Sequence, residues 1–227
     1  MVPRALEPTG VILADKPAGP SSFRIVAEVR NRTLARTGHA GTLDPFATGL
    51  LVLLSGRATR LAPRFVGLDK RYLTEIDVRA RTSTGDPEGD IVDTHPAPSR
   101  DQLERALDGL RGEVELRIPA ASAVRISGER AYRLHRKGIE VEMPLRRSRV
   151  DVLDVVAFRD GLVTLDLRVS SGTYIRAIAD ALGGHCRTLR RLEVGPFSVD
   201  EADVERIIDA DETLARIGAV ASLGGGR

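Results

Sequence analysis

Gly38-His39-Ala40-Gly41-Thr42-Leu43-Asp44-Pro45-Phe46-Ala47-Thr48-Gly49 runs directly into Leu50-Leu51-Val52-Leu53-Leu54, and the rest of the chain is read outward from this stretch. The five apolar residues lie between Gly49 and Ser55-Gly56. They are too few for a helix and show no polar alternation, so they predict a strand buried on both faces at the centre of a sheet. The glycines before it permit close approach of backbone. Pro45 biases Asp44 away from the helical region and removes one main-chain donor, which places the carboxylate on a stiffened loop. An acid held there is able to meet a ligand, although on spacing alone Asp44 also reads as a turn aspartate before proline.

Upstream, Val11 to Ala14 predicts a short strand, Lys16-Pro17-Ala18-Gly19-Pro20 a turn, and Ser22 a cap for a helix burying Ile25, Val26 and Val29. Downstream, Tyr72, Thr74, Ile76, Val78 and Ala80 alternate with Glu75, Asp77 and Arg79, so Tyr72 points to the apolar side of a strand. Ser99 and Gln102 form a capping-box pair ahead of Leu103, Ala106, Leu107 and Leu110, with Gly112 beyond. Val163, Leu165, Leu167 and Val169 mark a half-buried strand. A helix from about Tyr174 to Leu182 follows, burying Ile175, Ile178, Ala181 and Leu182 and stopping at Gly183-Gly184. Strands interleaved irregularly with helices predict an α+β fold with a mixed, largely antiparallel central sheet flanked by helices.

The 227 residues carry a formal charge of +2 and are 42% hydrophobic, an ordinary globular composition. A single cysteine, Cys186, excludes an internal disulfide framework and suits a reducing, cytoplasmic setting; beside His185 it reads as a buried, inert thiol. Neither a Cys-x-x-Cys nor a His-Glu-x-x-His pattern occurs, so no metal site is expected. The absence of a Walker A loop and of a GxGxxG fingerprint disfavours nucleotide cofactors. No apolar run approaches the ~20 residues of a membrane span, and MVPRALEPTG lacks an apolar signal core. Charge is polarised: residues 117–149 hold nine Lys/Arg against three acids, whereas residues 200–212 hold seven acids against Arg206 alone. The acidic stretch reads as helix-like and the closing SLGGGR as a disordered tail.

The run GHAGTLDPFATGLL resembles the catalytic motif of the TruB family of tRNA pseudouridine synthases. Further resemblances follow in order: LADKPAGPSS, DKRY ending at Tyr72, SSGTYIRAIADALG with Tyr174 and Arg176, and LRRLEVGPF beginning at Leu189. The resemblance implies a pseudouridine synthase fold with a thumb-like insertion. It also implies conversion of uridine 55 in the TΨC stem-loop of tRNA to pseudouridine, with no cofactor or metal. Asp44 would act on the flipped nucleotide, by adding to C1′ or by taking a proton at C2′, and Arg176 would supply its counter-charge. Tyr72 would stack on uracil, Tyr174 line the pocket, Leu189 wall it, and His39 occupy space left by flipping. Lys16 and Pro17 would order the loop under Asp44. Arg125, Arg130, Arg133, Arg136 and Lys137, in the basic segment, would contact phosphates.

This reading assigns residues 9–210 to one catalytic domain, with 117–149 inserted in it, and 211–227 to a short tail without a full C-terminal RNA-binding domain. It implies a monomer. Ala120 and Ala121 stand where the family would carry an aromatic. A different class of protein, an RNA-binding or tRNA-folding module with or without chemistry, fits the same basic segment. A third, a carboxylate-nucleophile hydrolase or phosphotransferase, would need a magnesium site from Asp86, Glu88, Asp90 and Asp93, although TSTGDPEGD reads more naturally as a polar turn.

Overall fold

The computed structural model describes residues 9–224. In chain order the elements begin with β1 (Gly10–Lys16), α1 (Ser22–Thr33), β2 (Thr37–His39), β3 (Thr48–Ser55), a 3₁₀ turn (Gly56–Leu61), α2 (Ala62–Val66) and β4 (Lys70–Asp77). Next come β5 (Ala80–Thr82), β6 (Ile91–Thr94), α3 (Arg100–Asp108), β7 (Gly112–Arg117), β8 (Arg125–Ile126), β9 (Glu129–Arg130) and α4 (Ala131–Arg136). The last are β10 (Leu145–Arg159), β11 (Leu162–Val169), α5 (Ile175–Ala181), β12 (His185–Val194), β13 (Phe197–Ser198), a 3₁₀ turn (Val199–Glu201), β14 (Asp203–Ile208) and α6 (Ala210–Gly224). The class is α+β, with a mixed and mostly antiparallel sheet, as expected.

Two compact units share the chain, residues 1–72 with 190–227 and residues 73–189, so β4 and β12 each begin in one and end in the other. In the first unit the strands run β14-β1-β3-β12. β3 is its centre. Its Leu50–Leu54 are all essentially inaccessible. One edge pairs antiparallel with β1 from Gly10↔Ser55 to Lys16↔Gly49. The other edge is divided between β12, parallel at Arg190↔Thr48 and Arg191↔Gly49, and β2, antiparallel at Thr37↔Ser55. An unbroken apolar run is the residue pattern that such two-sided enclosure demands. Around it pack Val11, Leu13, Phe65, Val194, Phe197 and Ile208.

The second unit is built on the β10–β11 hairpin, closed by Asp160-Gly161 with both φ positive, and extended by antiparallel pairing of β10 with β7. Two positive φ angles give a turn of the handedness that matches strand twist. β11 buries Val163, Leu165, Leu167 and Val169, as its alternation requires. Ser99 and Gln102 form both capping-box hydrogen bonds at the start of α3. Leu103, Leu107 and Leu110 are buried but Ala106 is exposed, and Gly109, rather than Gly112, caps the C-terminus.

Three local expectations are corrected. Ser21, not Ser22, caps α1; Ser22 is the first helical residue and turns its hydroxyl inward. The acidic stretch opens as the 3₁₀ turn 199–201 and then forms a strand, β14, which pairs with β1 through main-chain atoms while five of its six side chains stay exposed. That exposure is why its composition looked helix-like. SLGGGR, read as a disordered tail, begins inside the helix α6, which holds Ser222, Leu223 and Gly224; Gly225, Gly226 and Arg227, like residues 1–8, lie outside the described residues. α5 ends as foreseen, with Gly183 at φ +80 and Gly184 N–H donating to the Ala179 carbonyl, although Ala181 is exposed.

Candidate active site

Asp44 sits half-buried in the loop between β2 and β3, and almost every support of that loop in the first unit reaches it through main-chain carbonyls. Lys16, fully buried at the end of β1, donates from Nζ to the carbonyls of Pro17 (2.8 Å), Pro45 (3.0 Å) and Ala47 (2.6 Å). Gly19 N–H adds a bond to the Pro45 carbonyl at 2.8 Å. The Ser22 hydroxyl both accepts from Leu43 N–H (2.8 Å) and donates to the Leu43 carbonyl (2.9 Å), pinning the residue just before Asp44 to α1.

From β12, the buried Arg191 donates to the carbonyls of Leu50 (Nε, 2.7 Å), Gly41 (Nη2, 3.0 Å) and Thr42 (Nη1, 3.5 Å). Gly49 has φ +100, and a Cβ there would lie 2.2 Å from the Arg191 carbonyl oxygen, so glycine is required by both torsion and space. Two buried cations thus organise a carboxylate-bearing loop by donating to its main-chain carbonyls. A buried ammonium or guanidinium is tolerated because each N–H finds an oxygen.

His39, in β2, is held below the ordinary imidazole value of 6.5 by burial first and by the Arg191 charge second, and its Nδ1 has no hydrogen-bond partner among the described residues. Tyr72 is 8% exposed on the buried face of β4, which the alternation predicted. The same face carries Lys70, whose Nζ caps the carbonyls of Phe65, Val66 and Leu68 at 3.3, 2.7 and 2.5 Å. Burial, with the charge of Arg191, depresses its ammonium to about 8.

In the second unit Tyr174 is the N-cap residue of α5, half-buried against the small cluster of Ile118, Ala131 and Met143. Arg176 is only 4% exposed, unlike the solvated helix arginine that so Arg-rich a chain would offer by default. Its Nη1 donates to the Thr84 carbonyl at 2.7 Å and its Nη2 to the Ala121 carbonyl at 2.9 Å, while the Asp86 carboxylate lies 3.7 Å away. Asp86 is itself buried and accepts from Thr84 Oγ1 (2.5 Å) and Glu88 N–H (3.1 Å). TSTGDPEGD is therefore a turn, as read, but one whose aspartate orients Arg176. Leu189, the second unit's last residue, is buried in β12.

Of the basic candidates, Arg125 donates to the Gly128 carbonyl (2.8 Å) and Arg130 to the Ala123 carbonyl (2.6 Å). Arg133 and Arg136 lie over the Tyr132 ring at 5.9 and 5.8 Å, and Lys137 pairs with Glu129 at 3.1 Å. Arg125, Arg130 and Arg133, but not Arg136 or Lys137, line an open depression with Glu129 and Tyr132. Cys186 is fully buried. No group of three or more metal-ligating side chains occurs among the described residues, and no described helix is long and apolar enough to cross a membrane. Sequence reasoning passed over Arg191 and Lys70, and it named Ser22 only as a helix cap and Asp86 only as a candidate magnesium ligand in a polar turn. Arg191 stood in LRRLEVGPF two residues from Leu189, and so on the same face of an alternating strand, which was the available signal.

Residues 29–175 match the family model described as TruB family pseudouridylate synthase (N terminal domain). A protein named tRNA pseudouridine synthase B from Mycobacterium sp. (strain KMS) is 45% identical over 206 residues, covering 85% of this chain and 69% of the relative. Its namesake from Corynebacterium efficiens is 42% identical over 229 residues, covering 92% and 77%. A solved Cbf5-Nop10-Gar1 complex contains a chain matching with a TM-score of 0.64 at 27% identity; 86% of this chain is covered, and it spans about half (51%) of that one. With the motif residues placed as described, these matches establish that the chain belongs to the TruB family of pseudouridylate synthases.

Proposed function

We propose that this protein converts a uridine of tRNA, position 55 in the TΨC stem-loop, to pseudouridine. The observation that carries the reading is the Asp44 loop, whose carbonyls are gripped by Lys16 and Arg191 so that the carboxylate stands in one place before substrate arrives. Pre-organisation of that kind removes a reorganisation cost from the reaction itself.

The target glycosidic bond lies inside a folded loop, so the nucleotide is extruded at a cost of about a few kcal/mol, offset by contacts elsewhere. Asp44 then adds to C1′ or removes the C2′ proton. By either route the C1′–N1 bond breaks with its electron pair leaving on uracil, the base turns, and C5 bonds to C1′ as the Asp44–C1′ ester bond breaks or the abstracted proton returns to C2′. N1 regains a proton and the C5 proton passes to solvent, so the change is an isomerisation that consumes no co-reactant.

Arg176 is assigned the counter-charge of the reaction by its motif, and its guanidinium is held by the Thr84 carbonyl and the Asp86 carboxylate. Tyr72 offers its ring to the extruded base, Tyr174 and Leu189 line the pocket, and His39, kept neutral, fills the vacated loop position. Arg125, Arg130, Arg133, Arg136 and Lys137 contact phosphates and set affinity, with residues 117–149 acting as an insertion in a catalytic domain over 9–210.

The test is a tRNA transcript tritiated at uracil C5: tritium should appear in the solvent, with a single modified uridine mapping to the TΨC loop. Tight tRNA binding with no tritium above a blank would reject catalysis and leave an RNA-folding module.

A further inference from the structure

A second basic surface lies on the first unit, whereas residues 117–149 belong to the second. Between Val29 and Leu68 the only acidic residue is Asp44, while six arginines occur: Arg30, Arg32, Arg36, Arg57, Arg60 and Arg64. Arg32 is paired with Glu205. The other five are exposed, and none has an acidic partner among the described residues.

Local geometry aligns three of them. Arg57 and Arg60 sit in the 3₁₀ turn Gly56–Leu61, where a spacing of three brings side chains onto one face, and Arg64 follows four residues later in α2, one α-turn on. The two segments are continuous, since Ala62 between them has helical torsions (φ −48, ψ −43). Ala58 and Phe65 are buried beneath, with Leu61 and Ala62 packed on the same core, so the guanidiniums stand on a rigid base. Arg36 joins the row because its carbonyl accepts from Gly56 N–H at 2.8 Å.

The row lies at the C-terminal end of β3, and Asp44 lies before its N-terminal end. Eight residues of strand separate them by about 25 Å at ~3.3 Å per residue. No arginine of the row reaches a nucleotide reacting at Asp44.

We infer that Arg57, Arg60 and Arg64, with Arg36, form a second phosphate-binding track for RNA lying well beyond the reacting nucleotide. Successive guanidiniums rise by about 6 Å along the helical axis, comparable to the step between phosphates along one strand. An isolated acidic side chain would engage only one of them, whereas a nucleic-acid backbone engages the row. The inference rests on the RNA-modifying reading for its choice of polyanion.

Binding of an untritiated full-length tRNA transcript across a salt series tests it, comparing the parent with the triple variant Arg57→Gln, Arg60→Gln and Arg64→Gln. Losing three phosphate contacts should make the slope of log K against log salt shallower by about 2–3, and the matching triple Lys variant should restore it. A Gln variant with the parental slope would overturn the inference. So would parental binding to phosphatidylserine vesicles that the Gln variant loses while its RNA slope is unchanged. The slope is read without turnover, so a protein releasing no tritium but showing the expected change would fail the catalytic reading and keep this one.

Discussion

The loop bearing Asp44 and the basic segment between β7 and β10 use cations in opposite ways. In the first, Lys16 and Arg191 are buried and donate to main-chain carbonyls, so positive charge serves as scaffolding. In the second, Arg125, Arg133, Arg136 and Lys137 are held by a carbonyl, by the Tyr132 ring and hydroxyl or by the acid Glu129, above a core whose buried members are Ile118, Ala131 and Met143. A buried cation fixes geometry because losing it strands several polar groups; an exposed one contributes little to stability and keeps its charge for a partner.

Gly49→Ala should break the comparison most severely. The new methyl group would collide with Arg191 main chain at a left-handed φ, and a loss of more than about 4 kcal/mol is expected in denaturant unfolding. Lys16→Met removes the Nζ donor from the Pro17 and Ala47 carbonyls and leaves Pro45 with Gly19 N–H alone, and should cost about 3 kcal/mol, together with most of the tritium release. Asp86→Asn keeps shape but removes the charge beside Arg176; about 2 kcal/mol should be lost, and release should fall while tRNA affinity stays near the parental value.

Two histidines sharpen the contrast by titrating on opposite sides of 6.5. His39 is depressed by burial and then by Arg191, so its contribution to stability is present above pH 6.5 and lost as pH falls through its folded value. His95 is raised, chiefly by its hydrogen bonds to the Gly183 and Pro96 carbonyls, so its contribution is present below pH 6.5 and lost as pH rises through its folded value. Ring-proton NMR titration of the parent and of His39→Gln and His95→Gln would assign both; a His39 midpoint above 6.5 would contradict the burial argument. The smallest effect belongs to Arg133→Gln with Arg136→Gln, which should leave the thermal midpoint unchanged and flatten the salt dependence of tRNA binding.

How much of this was legible varied with what each residue bonds to. β3 could be read because enclosure on both faces leaves an unbroken apolar run, and Tyr72 because half-burial leaves a period of two. Lys16 could be placed only by its motif, and Arg191 was passed over, because their partners are carbonyls, which every residue has and no sequence pattern marks. Asp86 was hidden for another reason: a turn aspartate looks alike whether its carboxylate faces water or a buried guanidinium. β14 escaped because an edge strand held through main-chain atoms needs no apolar face, and its acids suggested a helix.

The most direct test of the central claim, that a pre-set carboxylate performs the chemistry, is Asp44→Asn assayed for tritium release and tRNA binding on the same preparation. The account predicts no release with affinity close to that of the parent. Release at the parental rate would contradict it.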